Sequence, residues 1–266
     1  MPELAEVEYF RKRWDAGLGQ EVIAVQLHGE KRIFRGSDLR ALQRRVVRQK
    51  LRRSEARGKQ MLFVFSGENW LGIHLGMSGH LRIEQAGFCA GTHDHLVLQQ
   101  KKQALVFRDA RQFGRVRFHH GKDTPEWWAT GGPEIHSAEF NQSAMNDFVR
   151  RHARAPIKAV LLMQSGFPGI GNWMADEILW RAHIAPRRKA GALSAEKLSV
   201  LWRSVRFVSR AALATIGRDN SDPPQGWLLH ERWRAGGKCP RHGTALRRAT
   251  IGGRTTAWCP RCQPSR

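Results

Sequence analysis

The chain is short of acid, of cysteine and of long apolar runs, and each shortage excludes a class of protein. Its 266 residues hold 23 Asp and Glu against 45 Lys and Arg, a formal charge of +22. Such a surface expects a polyanion, because neutralising phosphates releases counterions and drives association. Hydrophobic residues at 41% exclude a disordered basic tail. No apolar stretch reaches the ~20 residues of a spanning helix. The opening Met1-Pro2-Glu3-Leu4 is acidic where a secretory leader is basic and then apolar. The expectation is a soluble, cytoplasmic protein with no membrane partner. Anionic lipid is the weaker polyanion, since no basic helix with a broad apolar face is visible. There are four cysteines, three of them in the last 28 residues. A disulfide framework would spread them through the fold, so the cluster reads as a metal site, with Cys89 an inert thiol.

No repeat or low-complexity tract appears. Residues 3–14 have helical periodicity, with Leu4, Val7, Phe10 and Trp14 on one side. From about 20 to 120 the period becomes two: Val22–Val25, Met61–Phe65, Leu71–Leu75, His95–Leu98 and Ala104–Phe107 read as strands. Turn signals such as Ser66-Gly67-Glu68-Asn69 separate them, as in an antiparallel sandwich or barrel. Beyond Pro125 the texture is helical: Ser143–His152, a second helix with Pro156 in its first turn, Asn172–His183, and a longer helix capped by Ser194 and ending near Thr215. The expected division is a β-rich segment 1–122, a helical segment 123–234 and a metal hairpin 235–266.

The hairpin carries the most specific signal. Cys239-Pro240-Arg241-His242 and Cys259-Pro260-Arg261-Cys262 are two tight knuckles sixteen residues apart. Three sulfurs and one imidazole suit a single tetrahedral, structural Zn²⁺. Gly252-Gly253 between the knuckles marks a two-residue β-turn. Around it lie Arg232, Arg234, Lys238, Arg241, Arg247, Arg248, Arg254, Arg261 and Arg266, with no carboxylate from 232 to 266. A rigid basic hairpin is a DNA-contacting device, and Arg254, just past the turn, is placed to reach a groove or a phosphate.

Elsewhere the residues leave alternatives open. With Met1 removed, Pro2 would present a secondary amine that titrates near ~8 and can attack a sugar carbon, with Glu3 and Glu6 close by to move protons. Proline and acid are also what any helix N-terminus prefers. Lys59 is either a phosphate or catalytic lysine or an exposed charge at a strand end. His93 and His95 lie on one strand face, a geometry for metal, though no third ligand is evident. Asn172, after Gly169-Ile170-Gly171, sits where it would cap a helix, and the same turn offers backbone amides to a DNA phosphate.

Pro2-Glu3-Leu4-Ala5-Glu6-Val7-Glu8 resembles the start of the bacterial formamidopyrimidine-DNA glycosylases, relatives of endonuclease VIII. The resemblance continues through His74–Gly79, Asp109–Gly114, Gly169–Asn172 and Gly253–Thr256 with its metal hairpin, in order along essentially the whole chain. It implies an α+β multidomain fold: an N-terminal helix with an antiparallel β-sandwich, a helical domain with a helix–two-turns–helix, and a C-terminal zinc-finger hairpin. The DNA would lie in the cleft between domains. It also implies a base-excision glycosylase with abasic-site lyase activity on damaged double-stranded DNA, in a monomeric, nucleoid-associated enzyme. Pro2 would be the nucleophile that forms a Schiff base. Glu3 would be the general acid/base, Glu6 a supporting carboxylate and Lys59 a catalytic-site lysine that contacts phosphate. Met77, Arg111 and Phe113 would fill the gap left by an extruded nucleotide. Lys158, Asn172 and Arg254 would contact phosphates, and Cys239, His242, Cys259 and Cys262 would hold one Zn²⁺.

Three positions and one stretch depart from the family pattern. Ala5 and Ala110 replace prolines, and His242 replaces a cysteine. The stretch Gly217–Cys239 looks shorter than the region that caps an extruded 8-oxoguanine. This last departure, with Trp173 and Trp227, favours formamidopyrimidines or further-oxidised purines. Two other readings share the charge and the hairpin. One is a non-catalytic zinc-hairpin DNA-binding protein, which needs no free Pro2 amine. The other is an endonuclease VIII-like enzyme for oxidised pyrimidines, against which Leu4 and His74–Gly79 argue.

Overall fold

The computed structural model describes residues 1–29 and 31–264, so Arg266, counted above in the basic tail, lies outside the described residues. The chain forms two compact units: Met1–Pro2 with Glu6–Gly131, and Glu3–Ala5 with Gly132–Arg266.

Helix α1 covers Leu4–Arg13. Val7 and, just beyond the helix, Trp14 enter the core of the first unit, and Phe10 packs against it. Leu4 departs from the expected stripe and packs in the core of the second unit. The first unit continues as β1 (Val22–Leu27), α2 (Leu39–Val46), β2 (Leu51–Arg57), β3 (Gln60–Phe65), β4 (Asn69–His74), β5 (His80–Gln85), β6 (Asp94–Gln100), β7 (Gln103–Arg108), β8 (Arg115–His120) and the single turn α3 (Glu126–Ala129). Two antiparallel four-stranded sheets result, in the orders β1-β6-β7-β5 and β2-β3-β4-β8. Their inner faces share one core, with Val25, Leu96, Leu98 and Phe107 from the first and Met61, Phe63, Leu71 and Ile73 from the second. This is the expected β-sandwich. Outer faces of the central strands are covered too: Trp128 of α3 packs on Leu62 and Trp70, and Phe88 on Val97 and Val106.

The second unit contains α4 (Gln142–Arg151), α5 (Ile157–Leu161), α6 (Asn172–Arg181), α7 (Ala195–Ala214), α8 (Ile216–Asp219) and a hairpin of β9 (Arg247–Ile251) and β10 (Arg254–Trp258). Asn141 and Ser194 cap α4 and α7 by accepting from Ala144 N and Lys197 N. Pro156 is the residue before α5 rather than within its first turn. Helix α6 is apolar nearly all round and almost wholly buried, so it forms the axis of the unit. In the hairpin Arg254 pairs with Ile251 across Gly252 and Gly253, whose φ values of 61° and 70° give the two-residue turn its mirror-image twist. No helix among the described residues is long and apolar enough to cross a membrane.

Candidate functional site

In the second unit the site is built around the N-terminus of α6. A helix start leaves backbone N–H groups without partners, and here the residue before α6 is Gly171, which has no side chain to cap with. Glu3 does it from 168 positions away in the sequence. Gly171 N donates to its Oε2 (2.9 Å), Trp173 N to Oε1 (2.9 Å) and Met174 N to Oε2 (3.1 Å). Leu4 N donates to Gly169 O (3.0 Å), which locks the start of α1 onto the same turn. Glu3 is 2% exposed. An ionised carboxylate, acceptor-only, is the form that satisfies three amide donors at the positive end of a helix. Gly171 is required by proximity, because a Cβ there would lie 2.3 Å from Glu3 Cδ. Two expectations are corrected. Asn172 is the first helical residue and not the cap; its Nδ2 donates instead to Thr255 O (2.8 Å) of β10. The amides of the turn offered to a DNA phosphate have acceptors within the protein: Gly169 N donates to Gln164 Oε1 (3.1 Å), Ile170 N to Phe167 O (3.2 Å) and Gly171 N to Glu3.

Lys158, expected at a phosphate, has a side chain that is 0% exposed. Its Nζ donates to Asn172 O (2.7 Å) and pairs with Asp176 Oδ1. Burial pushes the ammonium below the ordinary lysine value, with Asp176 pulling it back. The second oxygen of Asp176 accepts from Arg232 Nε (3.1 Å) and from Ala257 N of β10 (3.1 Å). One buried carboxylate thus ties α5, α6, Arg232 and the hairpin together. At the turn beside them Arg254 is exposed.

The four metal donors meet. The ligand atoms of Cys239, His242, Cys259 and Cys262 lie within 4.8 Å of one another. Cys239 Sγ is 3.8 Å from Cys262 Sγ, and His242 Nε2 is 4.0 and 3.1 Å from those two sulfurs. A tetrahedral Zn²⁺ with bonds of ~2.3 Å to sulfur has edges of about 3.8 Å, so the donor set fits the ion. His242 Nδ1 is engaged with Thr244 Oγ1 (3.1 Å), which leaves Nε2 for the metal. Trp180 Nε1 donates to Cys239 Sγ (3.4 Å). Burial and the neighbouring thiols push Cys262 up to about 11, and a dication is what lets three thiolates share this space. Among the described residues this is the one such group of His, Cys, Asp and Glu. His93 sits in the turn before β6, and His95 is buried with Nε2 against Asp109 O (2.9 Å).

In the first unit Met77, Arg111 and Phe113 come together. Met77 lies in the β4–β5 turn and Arg111 and Phe113 in the β7–β8 loop, with Met77 38% and Phe113 47% exposed. The Arg111 guanidinium stacks 5.0 Å from the Phe113 ring centroid. Fully buried Asp109 holds both loops, its Oδ1 accepting from Ser78 Oγ (2.7 Å) and Arg111 N (3.2 Å) and its Oδ2 from Gly114 N (2.7 Å). Gly76, at φ 64°, lets the loops touch, since a Cβ there would be 2.4 Å from the Phe113 carbonyl carbon. Lys59, in the β2–β3 turn, is buried rather than an exposed strand-end charge. Its charge, after burial and with Arg117 and Arg35, pushes His74 down to about 4. His74 is therefore a neutral imidazole whose Nδ1 accepts from Gly76 N (3.1 Å). Pro2 and Glu6 are both half-buried.

Known proteins share this architecture. The formamidopyrimidine-DNA glycosylase N-terminal domain matches residues 1–116, its H2TH domain residues 132–222, and the zinc finger found in FPG and IleRS residues 236–264. The formamidopyrimidine-DNA glycosylase of Thermomicrobium roseum is 34% identical, over 99% of each chain. That of Xanthomonas campestris pv. campestris is 33% identical, over 99% of this chain and all of the relative. The Lactococcus lactis enzyme, in a structure with DNA containing an abasic site, superposes with a TM-score of 0.87 at 25% identity, over 99% of this chain and all of that one.

The chain belongs to the formamidopyrimidine-DNA glycosylase family.

In this family member three residues hold the two parts of the site through partners that the sequence does not indicate: Asp109, Asp176 and Arg232. Asp176 had a visible signal, because Asp176-Glu177 interrupts an otherwise apolar helix and both residues are buried. Acids in such a place need cations. Glu177 finds Arg181 one turn on (2.7 Å), and burial still pushes it up to about 6. Asp176 finds Lys158 and Arg232, which no local spacing indicates.

Proposed function

We propose that this DNA glycosylase removes damaged bases from duplex DNA and then cuts the strand, with the amine of Pro2 as nucleophile once Met1 is gone. The amine attacks C1′ of an extruded nucleotide and gives up its proton, and the bond from C1′ to the base breaks as the base leaves with a proton. Protonation of O4′ then breaks the C1′–O4′ bond, opening the sugar as the nitrogen lone pair forms an iminium. The iminium so formed acidifies the neighbouring C2′ hydrogen, so the 3′ phosphate departs by β-elimination and the 5′ phosphate by a following δ-elimination. The observation that carries this reading is the fixed carboxylate of Glu3, one residue along the chain from the amine. Gripped by three amides, it starts as a base and can return a proton to the sugar ring. Glu6 supports it, and Lys59, beside a neutral His74, takes a phosphate.

Exposed Met77 and Phe113 would wedge into the gap left by the extruded base, with Arg111 bonding the orphaned partner. Asn172 and Arg254 would hold phosphates on the hairpin side, with Lys158 acting from within by fixing Asn172. Zinc, held by Cys239, His242, Cys259 and Cys262, supplies rigidity to the hairpin and no chemistry. The segments 1–122, 123–234 and 235–266 would then be the catalytic, helical and metal-hairpin parts of a monomer acting on cytoplasmic, nucleoid DNA. The stretch 217–239 is shorter than the family region that caps an extruded 8-oxoguanine, and Trp227 and Leu228 within it are buried in the second unit. This supports formamidopyrimidines or further-oxidised purines over 8-oxoguanine. The test is Pro2→Gly in the full chain. It should keep duplex affinity within a few-fold and lose about a hundredfold or more of base release, the lower end of what a positioned catalytic group contributes. Unchanged release would remove the amine from the mechanism.

A further inference from the structure

Helix α7 has a second face that takes no part in the proposed base release. Arg203, Phe207, Arg210 and Ala214 project outward at successive turns, and all four are exposed. From Lys197 to Arg218 the chain carries five cations and no carboxylate. Among the described residues neither Arg203 nor Arg210 has an ion-pair partner. Phe207, 51% exposed, is a ridge between two shallow depressions. One, of about 670 Å³, is lined by Trp202, Arg203, Arg206, Arg210, Ala211 and Ala214. The other, of about 270 Å³, is lined by Arg181, Val200, Arg203, Ser204 and Arg241.

The ridge is held rigidly. Arg181 Cζ lies 4.7 Å from the Phe207 centroid and 4.7 Å from that of Trp227, and Arg241 Cζ lies 4.2 Å from that of Trp180. On the far side His136 is an unpartnered group at both ring nitrogens, held neutral by burial and by the charges of Arg206 and Arg210. Arg181 ends α6 and Asn172 begins it, so this face lies about 14 Å along that helix from the Asn172–Arg254 corner.

We propose that this face of α7, continued by Arg181 and Arg241, binds single-stranded DNA at a site separate from the hairpin turn. Arg203 and Arg210 supply forked donors for phosphates. Arg206, Arg241 and Arg181, which are bonded to Ile135 O, His183 and Glu177, add positive charge around them. The open side of the Phe207 ring is a platform for an unstacked base, which a duplex does not present. The depressions are shallow and open, whereas a peptide anchor needs a closed pocket from which water is excluded. The chemistry of the face therefore favours a nucleic-acid strand over an acidic peptide.

The experiment uses the full chain, first saturated with a short duplex carrying a tetrahydrofuran abasic analogue, and then titrated with a short fluorescein-labelled oligothymidylate followed by anisotropy. The oligothymidylate should bind the duplex-loaded protein. Phe207→Ala should weaken it about tenfold. Arg203→Ser with Arg210→Ser should lower the slope of log affinity against log salt by about 1.4. Duplex affinity and base release should stay as in the parent chain. Loss of oligothymidylate binding when the duplex is present, or an unchanged affinity in Phe207→Ala, would overturn the proposal. So would tighter, Phe207-dependent binding of an acidic, phenylalanine-containing peptide, which would make the face a protein dock.

Discussion

In the sandwich unit, Met77, Arg111 and Phe113 stand on loops fixed by backbone proximity and one buried acceptor, Asp109, and the side chains themselves remain exposed. In the helical unit, Glu3, Lys158 and Arg232 are themselves buried and fixed by charge, through a helix terminus and Asp176. The proposed role of the first group as a wedge asks for a stiff base and a free tip. The proposed role of Glu3 in moving a proton asks for one geometry and a defined charge, which amides and a helix dipole provide. The contrast makes the two units fail differently.

The largest stability effect should come from Asp176→Asn, which leaves Lys158 and Arg232 as buried cations without a counter-charge. A loss of about 3–5 kcal/mol is expected in denaturant unfolding, and a loss near zero would mean that the hairpin is held by packing alone. Next comes pH. His74, pushed down to about 4 in the fold, stays neutral where an unfolded histidine takes a proton. Its contribution is complete above about 6.5 and is lost as pH falls towards 4, about 3 kcal/mol in all. Half-buried His136 in the other unit acts in the same direction. Glu177, pushed up to about 6, acts oppositely, its stabilising share being full below about 4.5 and lost as pH rises through 6. Thermal melts from pH 4 to 7 should therefore flatten in His74→Gln and steepen in Glu177→Gln. Equal slopes in all three proteins would refute the assignment. The smallest effect should be Gly76→Ala, at about 2 kcal/mol. It should cut base release more than it cuts stability, because it drives the Met77 and Phe113 loops apart. Kinetics on a lesion duplex, beside the melts, separates the two.

Legibility in the sequence followed burial. The four central strands, β3, β4, β6 and β7, are covered on both faces and read as apolar runs. Of the four edge strands only β1 was visible, while β2, β5 and β8 carry Arg, Glu and His on an open face and lack the pattern. The metal donors were legible because their partners are local, two residues apart within each knuckle. The Glu3 cap and the Lys158–Asp176–Arg232 group were not, since each joins residues far apart in sequence whose types alone name no partner. Lys158 shows the cost, for a lysine that local pattern would leave on the surface is fully buried.

The proposed chemistry stands on the covalent step at residue 2. Borohydride reduction of the full chain on a duplex with an abasic site, followed by peptide mapping, tests it directly. The expected result is a trapped adduct on the Pro2 amine of a chain lacking Met1. Tight duplex binding with no adduct, or an adduct on Lys59 alone, would contradict it and leave the family scaffold with another chemistry or none.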